Sequence, residues 1–388
     1  MARRSKLQKS TSNAVRVFIA FFLGGMILAL AASGSMLLLS AESGAPLPKA
    51  AADLSTIDLL YLRAYLRLNY DRLRAPSAGA DGVFEVFEGE TASDICERLK
   101  QEAWIPDAGL TCNYLRYTGG DRSIGSGLFL IRTGQSPMEI ADSLASAESK
   151  IRVLTVFAGW RLEEIAEALP GSGIPMQSAD WLASAYGRPD SGSGVSALYA
   201  EIPSWAGLEG FILPGEYRVI PGETAAHLVE RMALNFLNSL PDGWISAVQQ
   251  RGWSVYQAVT MASIIQRETL AEEEMPLMAS VLYNRLNQGM RLQVDPTVQY
   301  AVGFQAGRGG WWVNPLLDAD LALDSPFNTY LYYGLPPGPI CSPSLAALEA
   351  VAYPVASSYL YYRAACDGSG RHNFAETYLQ HLANACGG

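Results

Sequence analysis

One glutamate in the C-terminal half of the chain has the surroundings that a catalytic acid needs. Val255, Val259, Ala262 and Ile265 recur at intervals of three to four residues, which predicts one apolar face of an α-helix. Glu268 follows Ile265 by three residues, so helical geometry places its carboxyl group on or beside that face. Desolvation there raises the pKa of a carboxyl group, which can then stay protonated near neutral pH and donate to a glycosidic oxygen. The pattern predicts general acid and base chemistry at Glu268.

The elements around this residue are predicted to be helices joined by tight turns. Gln266 and Arg267 are expected to turn away from the apolar face. A second helix is predicted to begin at about Pro276, and an extended piece then leads to Asp295 as the cap of a third helix. The alternative for Glu268 is a structural role, as a helix-end residue paired with a neighbouring arginine.

The chain as a whole is predicted to have an α+β fold. Residues 83–148 are expected to form a compact small unit, and its pattern partly repeats over 151–169. The predicted elements are strands at 83–87 and 127–132, a strand and turn over 151–160, and helices near 93–99, 110–117, 138–144 and 162–169. Residues 178–203 contain a Gly/Ser-rich stretch at 190–194, which is predicted to be a surface loop.

The N-terminal region is predicted to anchor the protein in a membrane. Residues 17–40 are 24 uncharged, mostly apolar positions, which is long enough to span the hydrocarbon core. Basic residues without acidic ones precede this run, so residues 1–16 are expected in the cytoplasm and the rest outside it. A cleaved signal peptide is the alternative, because residues 31–33 are small. We expect a single-pass protein of the inner (plasma) membrane with a membrane-proximal stalk over 41–80.

Composition excludes several classes of protein. The net charge of −10 argues against nucleic acid as a partner, since phosphates require a basic surface. Only three histidines are present and no H-E-x-x-H or G-x-S-x-G motif occurs, which argues against a zinc peptidase, a serine hydrolase and any metal or other cofactor. The five cysteines allow one or two disulfides, expected first for Cys96 with Cys112 and then for Cys366 with Cys386, with Cys341 left as a buried thiol.

Six phrases then occur in order, at residues 208–218, 261–269, 281–286, 289–298, 327–330 and 334–340. Together they resemble the endolytic murein transglycosylases, the YceG-like family. In that family two glutamates two positions apart follow the apolar phrase, and the second is catalytic. Here Gln266 replaces the first and Glu268 keeps the second. Residues 88–95 are also similar to a LysM-related module, with a spacer that binds no ligand as the alternative.

The resemblance implies a LysM-like subdomain over 81–150 and a YceG-like catalytic domain over 151–388. It also implies a lytic transglycosylase that cuts the MurNAc–GlcNAc β-1,4 bond within peptidoglycan strands and leaves 1,6-anhydroMurNAc ends. Such an enzyme would terminate nascent strands beside peptidoglycan synthases (penicillin-binding proteins). Glu268 would be the catalytic residue.

Contacts with the glycan or its peptides are expected at polar residues near these phrases, although each of them also has a capping or packing explanation. They are Glu209, Asn284, Gln293, Asp295, Thr297, Asn328 and Tyr330.

Two rival functions remain open from the sequence. A hydrolase (muramidase) would need a second carboxylate, about 5 Å away if retaining and roughly 6.5–9.5 Å if inverting, and Glu209, Glu216 or Asp295 could supply it. A scaffold that binds glycan without cutting it is the rival from another class.

Overall fold

The computed structural model describes residues 47–77, 80–188 and 194–386. The predicted cytoplasmic tail and transmembrane helix lie outside these residues. Within them, no helix is both long enough and apolar enough to cross a membrane. The chain divides into two compact units, one up to Ile151 and one from Arg152 onward. The predicted mixed α+β fold is confirmed.

The first unit surrounds a pair of antiparallel strands, β1 (Gly82–Val86) and β2 (Gly127–Ile131), with Phe84 opposite Phe129. Strand β3 (Lys150–Val156) begins in this unit and continues into the next. The helices of the unit are α1 (Thr56–Leu68), α2 (Tyr70–Arg74), α3 (Ala92–Gln101), α4 (Ala108–Thr118) and α5 (Pro137–Ala145).

Apolar side chains spaced along these elements form two cores. Leu62, Leu66 and Leu73 of α1 and α2 pack with α4 in one core, so residues 56–74 belong to the folded unit. Phe84 and Phe129 lie in the other core. A disulfide joins Cys96 on α3 to Cys112 on α4, as predicted.

The second unit is larger and mainly helical. The Arg152–Val156 part of β3 pairs antiparallel with β4 (Gly215–Val219), and β5 (Tyr361–Ala364) pairs antiparallel with β6 (His372–Ala375). The helices are α6 (Leu162–Gly171), α7 (Ser178–Tyr186), α8 (Ser196–Glu201), α9 (Ala225–Ser239), α10 (Trp244–Gln250), α11 (Val255–Glu268), α12 (Met275–Asn287), α13 (Asp295–Val302), α14 (Asp318–Leu321), α15 (Leu345–Ala352) and α16 (Tyr378–Ala383).

Two features of this unit bear on the sequence predictions. The Gly/Ser-rich stretch predicted to be a surface loop, residues 190–194, falls in the chain between α7 and α8, two helices that bury Trp181, Ala185 and Leu198. Residues 190–193 of the Gly/Ser-rich stretch lie outside the described residues. The predicted Cys366–Cys386 disulfide and the buried free thiol of Cys341 are confirmed.

Candidate active site

Helix α11 is the central element of the larger unit. It begins at a capping box in which the Ser254 hydroxyl accepts from the Gln257 backbone N–H, and the Gln257 side chain accepts from the Ser254 backbone N–H. All but one of the residues from Val255 to Gln266 are buried, so most of the surface of the helix is covered. A helix held on nearly all sides fixes the direction of any side chain at its end.

The prediction that Gln266 turns away from the buried face is wrong. Gln266 is buried, and its Oε1 accepts a hydrogen bond of 2.8 Å from the Ser344 backbone N–H. Arg267 is half-buried, with its guanidinium 3.7 Å above the centre of the Trp312 ring. The segment around residues 340–344 covers the face of α11 that the sequence pattern left open.

Glu268 is the last residue of α11 and is half-buried. The surrounding protein raises the pKa of its carboxyl group to about 7, mainly through desolvation, with the nearby negative charge of Asp295 adding to the increase. A hydrogen bond with the Tyr362 hydroxyl and the positive charges of Arg285 and Arg267 act in the opposite direction. A carboxyl group with a pKa near 7 can both donate and accept a proton at neutral pH.

Tyr362 is held by the hairpin of β5 and β6, where it lies opposite Phe374. Burial and the nearby Glu268 charge keep the pKa of Tyr362 well above its usual value, so it remains a hydroxyl donor. The His372 ring lies edge-on to the Tyr362 ring at 5.8 Å, and His372 Nδ1 is 2.9 Å from Glu274 Oε2. The hairpin is therefore fastened to the chain just before α12.

Arg285 projects from α12 and is buried. Its Nε donates to the Leu360 carbonyl at 2.6 Å and its Nη1 donates to the Leu292 carbonyl at 2.5 Å. Both acceptors are neutral, so the positive charge is not cancelled by these contacts. Arg285 is a fixed cation that favours the carboxylate form of Glu268.

Two of the predicted contact residues, Asp295 and Tyr330, lie near Glu268. The Tyr330 hydroxyl donates to Asp295 Oδ1 at 2.5 Å. Helix α13 begins at Asp295, with Val294 as its cap, so the prediction that Asp295 is the cap is wrong by one position. Its carboxylate is thereby free of the capping role and pairs with the tyrosine.

Gln293 is exposed just before this helix and has a left-handed backbone with φ of 49°. Such a backbone is costly for a residue with a side chain, and the hydrogen bond from its N–H to the Thr329 carbonyl, 3.1 Å long, holds it in place. The exposed side chain lies two positions before Asp295 in the chain.

Two other predicted contact residues are fully buried. The Thr297 hydroxyl bonds to the Val294 carbonyl and to the Thr329 hydroxyl, at 2.7 and 2.9 Å. Asn328 Nδ2 donates to the Leu321 and Leu323 carbonyls, at 2.9 Å each. The packing explanation fits both residues, which support the turn that carries Asp295 and Tyr330.

The remaining predicted residues lie elsewhere in the unit. Asn284 Nδ2 donates to the Ser357 and Tyr359 carbonyls, while Glu216 is exposed on β4. Glu209 is only 7% exposed, and its Oε2 lies 3.3 Å from the Leu162 backbone N–H. Burial raises the pKa of Glu209 to about 8.

The site thus combines one acid, one hydroxyl donor and one fixed cation. The sequence analysis did not find Tyr362 and Arg285. Their positions, in a strand and near the end of a helix, give no sign that either residue lies near Glu268 in the folded protein. In the described residues, no cluster of three or more histidine, cysteine, aspartate or glutamate side chains could hold a metal ion.

Comparison with known proteins gives matches over most of the chain. The profile of the YceG-like family matches residues 84–386. An endolytic murein transglycosylase of Bacillus subtilis (strain 168) is 28% identical over 305 residues, covering 76% of this chain and 81% of that protein. The Streptococcus pneumoniae (serotype 2, strain D39) protein of the same name is 34% identical over 159 residues, covering 40% of this chain and 28% of that protein. A yceG-like protein of Listeria monocytogenes, known from a crystal structure, is similar with a TM-score of 0.53 and 26% identity, covering 78% of this chain and 98% of that one.

Proposed function

Because the chain belongs to the YceG-like family, we propose that it is an endolytic murein transglycosylase, a lyase that cuts peptidoglycan glycan strands internally. The bond cut is the β-1,4 bond from MurNAc to GlcNAc, and the product carries a 1,6-anhydroMurNAc end. The observation that carries this proposal is Glu268, a half-buried carboxyl group with a pKa of about 7 at the end of a rigid helix.

Glu268 acts twice in the proposed reaction. As the acid, it donates its proton to the glycosidic oxygen, and the C1–O bond to the leaving sugar breaks. As the carboxylate, it then takes the proton from the C6 hydroxyl of the MurNAc residue while that oxygen bonds to C1. The proton lost in the first step is regained in the second, so no water is consumed and the enzyme is restored.

Tyr362 and Arg285 stabilise the state between these two steps. Once the proton has left, Glu268 is a negative charge in a poorly solvated place, which is costly without partners. The hydrogen bond with the Tyr362 hydroxyl and the attraction to Arg285 both lower the pKa of Glu268 and so favour the carboxylate. Without them, burial alone would keep the proton on the acid.

A muramidase is the second candidate, and one observation favours it. Asp295 lies near enough to Glu268 for its charge to raise the pKa of the acid, so a second carboxylate is present at the site. Asp295 is bonded to the Tyr330 hydroxyl, which holds it in one orientation. A hydrolase would use such a carboxylate to activate water or to attack the sugar.

Mass spectrometry of the products separates the candidates. Peptidoglycan sacculi are incubated with the purified full chain, and the released muropeptides are analysed. We expect internal cuts with 1,6-anhydroMurNAc ends. Reducing ends would instead indicate the muramidase. If neither the wild type nor the Glu268→Gln variant releases products, the protein is a scaffold that only binds glycan.

We also propose that the enzyme works outside the cytoplasm, anchored by the apolar run at residues 17–40. The two disulfides, Cys96–Cys112 and Cys366–Cys386, support this location because disulfides persist in oxidising compartments. In this position it would meet glycan strands as they leave the penicillin-binding proteins and terminate them. Protease accessibility of the second unit in spheroplasts tests the location, and protection of that unit would contradict it.

The proposed LysM-like role of residues 81–150 is glycan contact. Its support is the order strand, two helices, strand over β1, α3, α4 and β2, which agrees with the small strand-and-helix unit expected from the sequence.

A further inference from the structure

Two open grooves of the second unit meet at the start of α11. One has a volume of about 460 Å³ and lies between Trp253 and the Leu335–Pro337 turn. The other has a volume of about 570 Å³ and lies between Trp253 and the segment around Ser357. Trp253 and Asn287 line both grooves, so we treat them as one feature, the Trp253 groove.

The Trp253 groove is separate from the catalytic acid. It lies at the N-terminal end of α11, whereas Glu268 is the C-terminal residue of that helix. With a rise of about 1.5 Å per residue, the length of α11 places Trp253, at one end of the helix, roughly 20 Å from Glu268 at the other. Neither groove is lined by Glu268, Tyr362 or Asp295.

The walls of the groove combine an aromatic ring with amide groups. Trp253 is half-buried and held edge-on against Tyr283, with ring centres 4.8 Å apart, so its ring is fixed while part of it faces the groove. Gln250 and Asn287 are exposed amides on either side. The two donors of Asn284 Nδ2 are used by backbone carbonyls, which leaves Oδ1 as an acceptor. A flat apolar face flanked by neutral donors and acceptors suits an N-acetylated sugar.

The charge of the groove is opposite to that of the protein. The chain has a net charge of −10, yet Arg251 is the only charged side chain that lines either groove in the described part of the chain. Its Nε donates to the Ala352 carbonyl at 2.9 Å, which holds the guanidinium at one nitrogen, and the residue is exposed. A fixed guanidinium favours a carboxylate ligand.

We propose that the Trp253 groove is a second glycan-binding site for strands whose stem peptides have been removed, with a sugar ring on Trp253 and the free lactyl carboxylate of MurNAc paired with Arg251. That the ligand is a peptidoglycan strand rests on the proposed function. That it is an N-acetylated sugar with a carboxylate rests on the side chains of the groove. Two binding places about 20 Å apart along the helix α11 would favour long strands over short fragments. The site would thereby hold a strand away from its cut point.

Hydroxyl-radical footprinting of the full chain tests this site without cleavage of the probe. The protein carries Glu268→Gln, and oxidation of Trp253 is followed by mass spectrometry as ligand is added. The probes are the peptide-free tetrasaccharide of alternating GlcNAc and MurNAc, and chitotetraose, which has the same length but no carboxylate. Tyr61, an exposed aromatic of the first unit, is the internal control.

We expect both probes to protect Trp253 and neither to protect Tyr61. In the Arg251→Gln variant, half-protection should need about tenfold more MurNAc tetrasaccharide, the factor that corresponds to about 1.4 kcal/mol. Protection by chitotetraose should not change. Asn287→Ala changes an exposed residue that takes no part in the pairing of Arg251 with the carboxylate, so it should weaken protection by both probes. The melting temperatures of Arg251→Gln and Asn287→Ala should show that both variants remain folded.

Absence of Trp253 protection, or equal protection in the Arg251→Gln variant, would overturn the proposal. This outcome is distinct from failure of the proposed function. An enzyme that makes anhydro ends while Trp253 stays unprotected refutes the groove alone. A protein that protects Trp253 but makes no anhydro ends refutes the lyase alone.

Discussion

Glu268 and Glu209 are two carboxyl groups of the same unit, and burial raises the pKa of both, to about 7 and about 8. They differ in what their oxygen atoms can reach. Glu268 is half-buried and shares a hydrogen bond with the Tyr362 hydroxyl. Glu209 is 7% exposed, and within the described residues its Oε1 is buried without a hydrogen-bond partner.

The difference shows that a raised pKa does not by itself identify a catalytic acid. Glu209 Oε2 faces the Leu162 N–H at the start of α6 and the Tyr300 hydroxyl, 3.3 and 3.4 Å away, where a substrate has no room. Glu268 keeps access to solvent and has partners that stabilise its carboxylate. Glu268, the proposed acid, differs from a structural carboxyl group in two ways: it is accessible, and its surroundings support both of its protonation states.

Replacement of each glutamate by glutamine should give the largest contrast. Glu268→Gln removes the transferable proton but keeps the shape, so we expect a loss of about 10²- to 10⁴-fold in the rate of anhydro-end formation. Glu209→Gln should retain most of the activity. The measurement is product release from sacculi, and equal losses in the two variants would contradict the assignment of roles.

Glu209→Gln should instead change how stability depends on pH. The folded pKa of about 8 exceeds the unfolded value of 4.5, so folding favours the protonated form. The wild type should therefore lose stability relative to the variant as pH rises from about 4.5 to about 8, by about 1.4 kcal/mol per pH unit, and no further above that range. Urea unfolding of both proteins across this range gives the difference, and parallel curves would contradict a buried, proton-loaded Glu209.

Tyr362→Phe should move the pH profile of the reaction. Wild-type activity is expected to fall as pH rises through about 7, because the first step needs protonated Glu268. Loss of the hydroxyl removes a bond that favours the carboxylate, so the pKa of Glu268 should rise. A hydrogen bond to a charged group is worth roughly 1.5–3 kcal/mol, so we expect the alkaline fall to shift upward by about one to two pH units. A profile that stays in place would show that Tyr362 does not contact the acid.

Asp295→Asn should produce the smallest shift, and in the opposite direction. The negative charge of Asp295 raises the pKa of Glu268, so its removal should lower that pKa and move the alkaline fall to lower pH. Because Asp295 is exposed, solvent weakens this effect to less than about one pH unit. A loss of activity as large as that of Glu268→Gln would instead favour the two-carboxylate muramidase.

Local patterns predicted much of this molecule. The apolar spacing from Val255 to Ile265 predicted α11 and placed Glu268 at its end, and the helix predicted near 138–144 is α5. The resemblance to the YceG-like family is confirmed by the match over residues 84–386. Local patterns did not predict α7 and α8, the two helices that precede and follow the Gly/Ser-rich stretch and bury side chains such as Trp181.

The sequence by itself determined which residue we propose as the acid, Glu268, because helical periodicity and motif order depend only on neighbours in the chain. Only the tertiary structure decided what surrounds it. Tyr362 is far from Glu268 in sequence, and Gln266 became buried because the Ser344 segment folds over the face that the pattern left open. A pKa depends on distances through space between charges, donors and solvent, and those distances exist only once the chain has folded.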